Sequence, residues 1–179
     1  RFTRDHGLQV DTEKLKKISA FLREASLKAQ DCIDESSLRG IEGEAANCYF
    51  SVFDELILQQ KKDFFFRKRS RRPPMDPVNA LLSFIYALLS NSMSASLEAV
   101  GLDPYIGMMH ADRPGRASLA LDMMEELRAV MADRFVLRLI NKRIVDRKDF
   151  VHKENGAVLL KDEGRKKVLV EWQKHKKEN

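Results

Sequence analysis

The side chains best suited to chemistry in this chain are Glu42, His110, Asp122 and Glu125, spread over three separate stretches. Asp122 and Glu125 are spaced i, i+3, which on a helix puts two carboxylates on one face one turn apart, within reach of a single cation. The plainer account is that Asp122, Glu125 and Glu126 complement the positive end of a helix beginning near Ser118. His110 lies just upstream in a turn rich in Asp, Arg, Pro and Gly, so a loop delivers its imidazole near the start of that helix. Glu42 stands in Gly40-Ile41-Glu42-Gly43. Two glycines inside a helical pattern each cost about 1 kcal/mol relative to alanine, and three apart they share a face. That face suits either a DNA strand or backbone approaching Glu42, or a tight helix crossing with Glu42 in water. One imidazole with two or three carboxylates is a mostly hard-oxygen donor set, which favours Mg²⁺ or Mn²⁺ over zinc, and Mn²⁺ tolerates the histidine better.

Phosphate is the natural counterpart of the basic residues. Residues 61–72 hold Lys61, Lys62, Arg67, Lys68, Arg69, Arg71 and Arg72 against one acid, Asp63, with Phe64, Phe65 and Phe66 interleaved. This is the electrostatic candidate for a DNA backbone, the alternative being a solvated basic loop beside an aromatic anchor. Arg113 and Arg116, around His110, are placed to fork onto phosphate oxygens or to pair with nearby acids. Asn79, Ser83 and Tyr86 follow i, i+4, i+7. They form a polar stripe on an apolar helix that either supports the pocket or DNA, or closes an internal hydrogen-bond network.

These residues need a helical scaffold. Apolar residues at helical spacing predict an amphipathic helix over 12–29 and another over about 36–64, capped by Ser36 or Ser37. The prolines at 73, 74 and 77 stop any helix, and residues 78–89 then read as the central buried helix of a bundle. Glycines and prolines break the chain around His110. A long helix over about 118–145 follows, with Ser118 as its expected cap, then a small hairpin at Asn155-Gly156 and a helix over 162–176. The predicted fold is therefore all-α, a compact helical bundle with one β-hairpin near residues 150–160. At 179 residues, one domain over residues 1–179 is the expectation.

Composition excludes several classes. Hydrophobic residues are 44% and charged residues 33% of the chain, with net charge +5 and pI near 9.2, which fits a packed globular protein. No apolar run approaches the roughly 20 residues of a membrane span and no signal peptide is evident, so a cytoplasmic protein without membrane contact is expected. Cys32 and Cys48 lack CxxC spacing and suggest neither a disulfide framework nor zinc. Because the chain opens on Arg1 and stops in a charged tail, it reads as part of something longer.

Three segments, LRGIEGEAANCYF, RPPMDPVNALLSFIYALL and GMMHADRPGRASLALDMMEELR, resemble in order the motif blocks of the CRISPR-associated integrase, the first of the Cas proteins, close to its subtype I-C branch. The likeness covers roughly residues 1–175. Carried over by motif, the glutamate between the glycines is Glu42 and the metal-binding histidine is His110. The third metal ligand falls on Glu125, where some relatives have aspartate. Asp122, the aspartate of LALD, resembles an acid that supports catalysis. The resemblance implies a metal-dependent endonuclease and integrase of spacer acquisition, in which a 3′-hydroxyl of captured DNA attacks a phosphodiester of the CRISPR repeat without a protein nucleophile. It also implies a β-rich N-terminal domain that helps form a homodimer and a Pro-rich basic tail, neither within these residues. The second Cas protein is implied as bridging partner and the fourth as end-trimming nuclease. Two rivals remain: a non-catalytic helical DNA-binding or interaction domain, and a di-metal carboxylate bundle. The latter calls for Glu-x-x-His, a pattern this sequence does not contain.

Overall fold

A computed structural model of the chain describes residues 10–110 and 113–178; Ala111 and Asp112, within the third quoted segment, lie outside them. Helix α1 (Thr12–Gln30) starts at Asp11, whose carboxylate accepts from the Lys14 backbone N–H at 2.9 Å. Helix α2 (Glu35–Ser51) packs along it as a helical hairpin. The cap of α2 is Asp34, not Ser36 or Ser37. Its carboxylate takes the Ser37 N–H at 2.8 Å and the Ser36 hydroxyl at 2.6 Å, so the serines serve the cap. Within the hairpin Ala25 is buried, and α2 buries no residue fully. The hairpin leans on the core instead of building it.

Helix α2 also ends earlier than the pattern over 36–64 predicts. After Ser51 the chain makes a 3₁₀ turn (Phe53–Leu56) and then runs extended. Asn141, distant in sequence, takes over the backbone groups a continued helix would have satisfied. Its side chain donates to the Leu56 carbonyl at 2.9 Å and accepts from the N–H of Leu58 at 2.8 Å and of Gln59 at 3.2 Å. Along the basic segment Phe64 and Phe66 are buried while Phe65 and Arg67 face out, and the Arg67 guanidinium lies 5.5 Å from the Phe65 ring. Asp54 accepts the Phe66 N–H at 2.7 Å and pins the strap to the core.

Helix α3 (Pro77–Ala99) is the axis of the bundle. Asp76 caps it through the Asn79 N–H at 2.7 Å, and Pro77 fills the first turn, where a missing N–H costs nothing. Residues 77–82, Ile85 and Leu89 are buried. It runs past Leu89 to 23 residues, so, against the expectation that no apolar run reaches that length, it is long and apolar enough to cross a bilayer. In this fold its first half is the centre of a protein core.

Helix α4 (Ser118–Leu127), a π turn (Arg128–Asp133) and α5 (Arg134–Asn141) replace the single regular helix expected over 118–145. Ser118 is fully buried inside α4 and Ala117 is the cap position, with no side-chain cap bond. Strands β1 (Phe150–His152) and β2 (Val158–Leu160) pair antiparallel, Phe150 opposite Leu160, in the predicted hairpin. Gly156 turns it at φ +79°. Helix α6 (Asp162–Glu178) closes the bundle by setting Trp172 edge-on against Phe135 of α5, ring centroids 5.3 Å apart. Phe64 meets Phe150 at 5.6 Å, joining strap and hairpin in one core. The architecture is the all-α bundle with one hairpin that the sequence predicts.

Candidate metal centre

The loop between α3 and α4 is wound around the start of α4. The Leu119 and Ala120 N–H groups donate to the Pro104 carbonyl at 2.9 and 3.3 Å. Gly107 lies so close that a Cβ there would sit 2.5 Å from the Ser118 Cβ and 2.9 Å from the His110 carbonyl oxygen. A side chain has no room at that point. Asp122 then gathers the end of the loop: its carboxylate accepts from the backbone N–H of Met108 at 2.6 Å, Met109 at 2.9 Å and His110 at 3.1 Å. Its Oδ1 also lies 2.5 Å from His110 Nδ1. Burial would raise the Asp122 carboxyl, but these bonds from His110, Met109 and Met108 outweigh it and hold the group below the usual aspartate range. With Nδ1–H assigned toward Asp122, Nε2 keeps its lone pair free, the carboxylate–histidine arrangement that orients imidazole ligands.

That Nε2 lies 3.6 Å from Glu125 Oε1. Glu42, on the exposed face of α2, lies near enough to Glu125 for the two carboxyls to interact. Burial first, then the Glu42 charge, raises the Glu125 carboxyl, against the lowering pull of Arg128 and His110. Glu42 of α2 and His110 of the loop thus each lie close to Glu125 of α4. Among the described residues no group of three or more His, Cys, Asp or Glu side chains is drawn together as a closed metal cluster. Glu125 is instead turned to Arg128, whose Nη2 lies 3.1 Å from its Oε1. The donor set still fits a hard divalent cation: a lone pair on imidazole nitrogen beside two carboxylates whose mutual repulsion such an ion relieves. Asp122 is committed to the loop amides and to the His110 ring.

Around Gly40 and Gly43 nothing lies within 4 Å of an added Cβ. The tight helix crossing considered for this segment is therefore not present among the described residues, and the face beside Glu42 is open. Arg39, one turn earlier, donates to the Met109 carbonyl and pairs with Glu35 at 2.5 Å, tying α2 to the His110 loop.

The polar stripe on α3 closes on the basic strap. Asn79 accepts from Arg69 at 2.7 Å and from the Ser70 N–H at 3.0 Å, and donates to the Lys68 carbonyl at 2.8 Å and to Asp76 at 2.6 Å. Ser83 accepts from Arg69 at 3.2 Å. Tyr86 donates to Asp133 Oδ1 at 2.6 Å, and Tyr49 donates to Oδ2 at 2.9 Å. Burial, then the Asp133 charge, pushes both tyrosine hydroxyls up, so they remain donors. Burial likewise raises the Asp133 carboxyl, opposed by the Tyr86 and Tyr49 bonds and by the charges of Arg128 and Arg69. The stripe is an internal network that holds the strap, and its last member, Tyr86, meets Arg128, the partner of Glu125. Of the candidate DNA-binding residues, Arg67, Arg71, Arg72 and Arg113 are exposed, Arg116 is half-buried, and Arg69 is spent inside the network.

Sequence reading passed over Arg39, Tyr49, Arg128 and Asp133. Arg128 and Asp133 carried a weak signal, charges in the middle of an apolar helical pattern, which reads equally well as a solvated face.

A helical bundle that sets an imidazole and carboxylates close together, joined to a basic strap through Tyr86, is the class of domain that fold and site define. The family model described as CRISPR associated protein Cas1 matches residues 1–174, and this chain belongs to that family. It is 49% identical over 178 residues to CRISPR-associated endonuclease Cas1 1 of Chlorobaculum tepidum, covering 99% of this chain and 52% of that protein. A CRISPR-associated exonuclease Cas4/endonuclease Cas1 fusion of Rhodospirillum rubrum is 43% identical over 140 residues, covering 76% of this chain and 24% of the fusion. Among solved structures, a chain of a partial Cas6-RT-Cas1–Cas2 complex superposes with TM-score 0.81 at 30% identity, over 90% of this chain and 49% of that one. A casposase bound to integration product gives TM-score 0.73 at 28% identity, over 90% and 48%. The chain spans about half the length of the curated relatives it matches most fully.

Proposed function

We propose that this chain is the metal-binding catalytic domain of a DNA integrase and endonuclease of CRISPR adaptation. The observation that carries the reading is the approach of both Glu42 and His110 to Glu125, with Asp122 fixing the imidazole. Family membership and likeness to a casposase bound to its integration product support the same reaction class. In the proposed reaction a 3′-hydroxyl of captured DNA attacks a repeat phosphodiester, the new P–O bond forms as the old one breaks, and a fresh 3′-hydroxyl leaves. A divalent cation, Mg²⁺ or Mn²⁺, when bound would supply Lewis-acid polarisation of the phosphoryl oxygen and acidify the attacking hydroxyl. Glu42, Glu125 and His110 Nε2 would hold it.

The other steps belong to the protein. Asp122 keeps the imidazole in the ligating tautomer and keeps the loop against α4. Arg67, Arg71 and Arg72 on the strap and Arg113 and Arg116 by the loop bind phosphates and set the register of the DNA. The open face at Gly40 and Gly43 lets a strand approach Glu42. The second Cas protein as bridging partner is supported by a relative seen in a complex with Cas2, and the fourth by the Cas4/Cas1 fusion. A homodimer through residues beyond these 179, a likeness to subtype I-C and a cytoplasmic site of action complete the proposal.

The test is strand transfer by the full-length protein. Glu42→Ala, His110→Ala and Glu125→Ala are each expected to abolish it while circular dichroism stays native, and Mn²⁺ is expected to raise the melting temperature of the native protein only. Normal turnover in a folded variant removes that residue from the ligand set. No Mn²⁺ shift in the native protein favours a non-catalytic DNA-binding domain.

A further inference from the structure

Arg128 stands where α4 passes into the π turn, and its guanidinium reaches back one turn to Glu125 at 3.1 Å. Pairs of this spacing on an exposed helix contribute little. This one is held from behind, with both side chains only 25% exposed. The guanidinium lies 5.4 Å from the centroid of the Tyr86 ring, and the Arg69 guanidinium lies 5.3 Å from the same ring. The Tyr86 hydroxyl is fixed by Asp133, which is 2% exposed and faces both cations.

The π turn makes this arrangement. Residues five apart on an α-helix point about 140° away from each other, whereas the i→i+5 repeat of a π turn brings them toward one side. Arg128 and Asp133 are five apart and both meet Tyr86. The Nε of Arg128 is buried with no hydrogen-bond partner, so the Glu125 contact does not saturate the group. The same carboxylate is one of those proposed above to hold the divalent cation.

We propose that Arg128 is a positioning residue of the metal centre, a resident counter-cation fixed by Tyr86 and Asp133 that holds Glu125 and must yield it when a divalent cation binds. This rests on the metal reading given above. Guanidinium and metal compete for one carboxylate, and the resident charge sets metal affinity lower than Glu42, His110 and Glu125 would by themselves. The site then fills only at the higher divalent concentrations that loosen the pair.

Mn²⁺ titration of the full-length protein by isothermal calorimetry tests this, comparing native protein with Arg128→Gln, Arg128→Met and Arg128→Lys, each checked by circular dichroism. The two neutral variants are expected to bind Mn²⁺ about tenfold more tightly, the effect of a unit charge on a divalent ion one side chain away in a water-like dielectric. The lysine variant is expected to return close to native affinity. Unchanged or weaker binding in folded neutral variants overturns the inference while leaving the metal reading in place. If neither neutral variant folds, Arg128 is structural and the inference is overturned as well. If native protein binds no Mn²⁺, the metal reading and the inference fall together.

Discussion

Replacing Asp122 with alanine removes the acceptor for Met108 N–H at 2.6 Å, Met109 N–H at 2.9 Å, His110 N–H at 3.1 Å and His110 Nδ1 at 2.5 Å. Bonds to a charged acceptor contribute about 1.5–3 kcal/mol each when buried. Met108 is 86% exposed, so water replaces much of what is removed. A net loss of roughly 2–3 kcal/mol for the set follows. It falls on the loop, because every group that donates to Asp122 belongs to residues 108–110. That is about 30–150-fold in the population of the ordered loop. Hydrogen exchange should show the amides of residues 108–110 losing protection by that factor while those of α3 and α5 keep theirs. Strand transfer by the full-length protein should fall in parallel. Asp122→Asn is expected to resemble the alanine variant, because its amide N–H₂ opposes the donors that converge on the site. Unchanged exchange at 108–110, or a loss spread evenly over the core, would refute the reasoning that Asp122 acts by holding the loop.

The Ser36 and Ser37 hydroxyls and the Ser37 N–H hold the Asp34 carboxyl down at about 2, against 3.8 ordinarily. A depressed folded value means the contribution of this cap is complete above pH about 4 and is lost as pH falls through about 2. Exchange of the first α2 amides should therefore accelerate over that window in native protein and show no such step in Asp34→Asn. Tyr49→Phe deletes the 2.9 Å bond to buried Asp133 and should lower stability by about 2 kcal/mol, read as a lower urea midpoint with unchanged slope; no shift would mean that water replaces the hydroxyl. Neutralising Arg67, Lys68, Arg71 and Arg72 together should flatten the dependence of DNA affinity on salt by about 0.9 for each phosphate that is no longer neutralised, and an unaltered slope would show that the strap faces away from DNA.

What the residue string determined by itself was local or motif-borne. Apolar spacing set out α1, α3 and α6, Asn155-Gly156 marked the hairpin, and the glycines and prolines put His110 in a loop. In each case the signal and its consequence lie within a few residues of one another. The i, i+3 spacing of Asp122 and Glu125 put both on one face, and motif likeness added Glu42. Tertiary structure decided what those groups do. Asp122 turned to the loop amides because the loop wraps α4. Glu125 found Arg128 as well as Glu42, and Asn141, from far along the chain, supplied partners to the extended segment that follows α2 and its 3₁₀ turn. The π turn that sets Arg128 and Asp133 against Tyr86 has no local pattern, since α and π repeats differ by less than the scatter of apolar spacing over six residues. A buried carboxylate needs donors to be stable, and Tyr49 and Tyr86, 84 and 47 residues away, supply them only once the chain has folded.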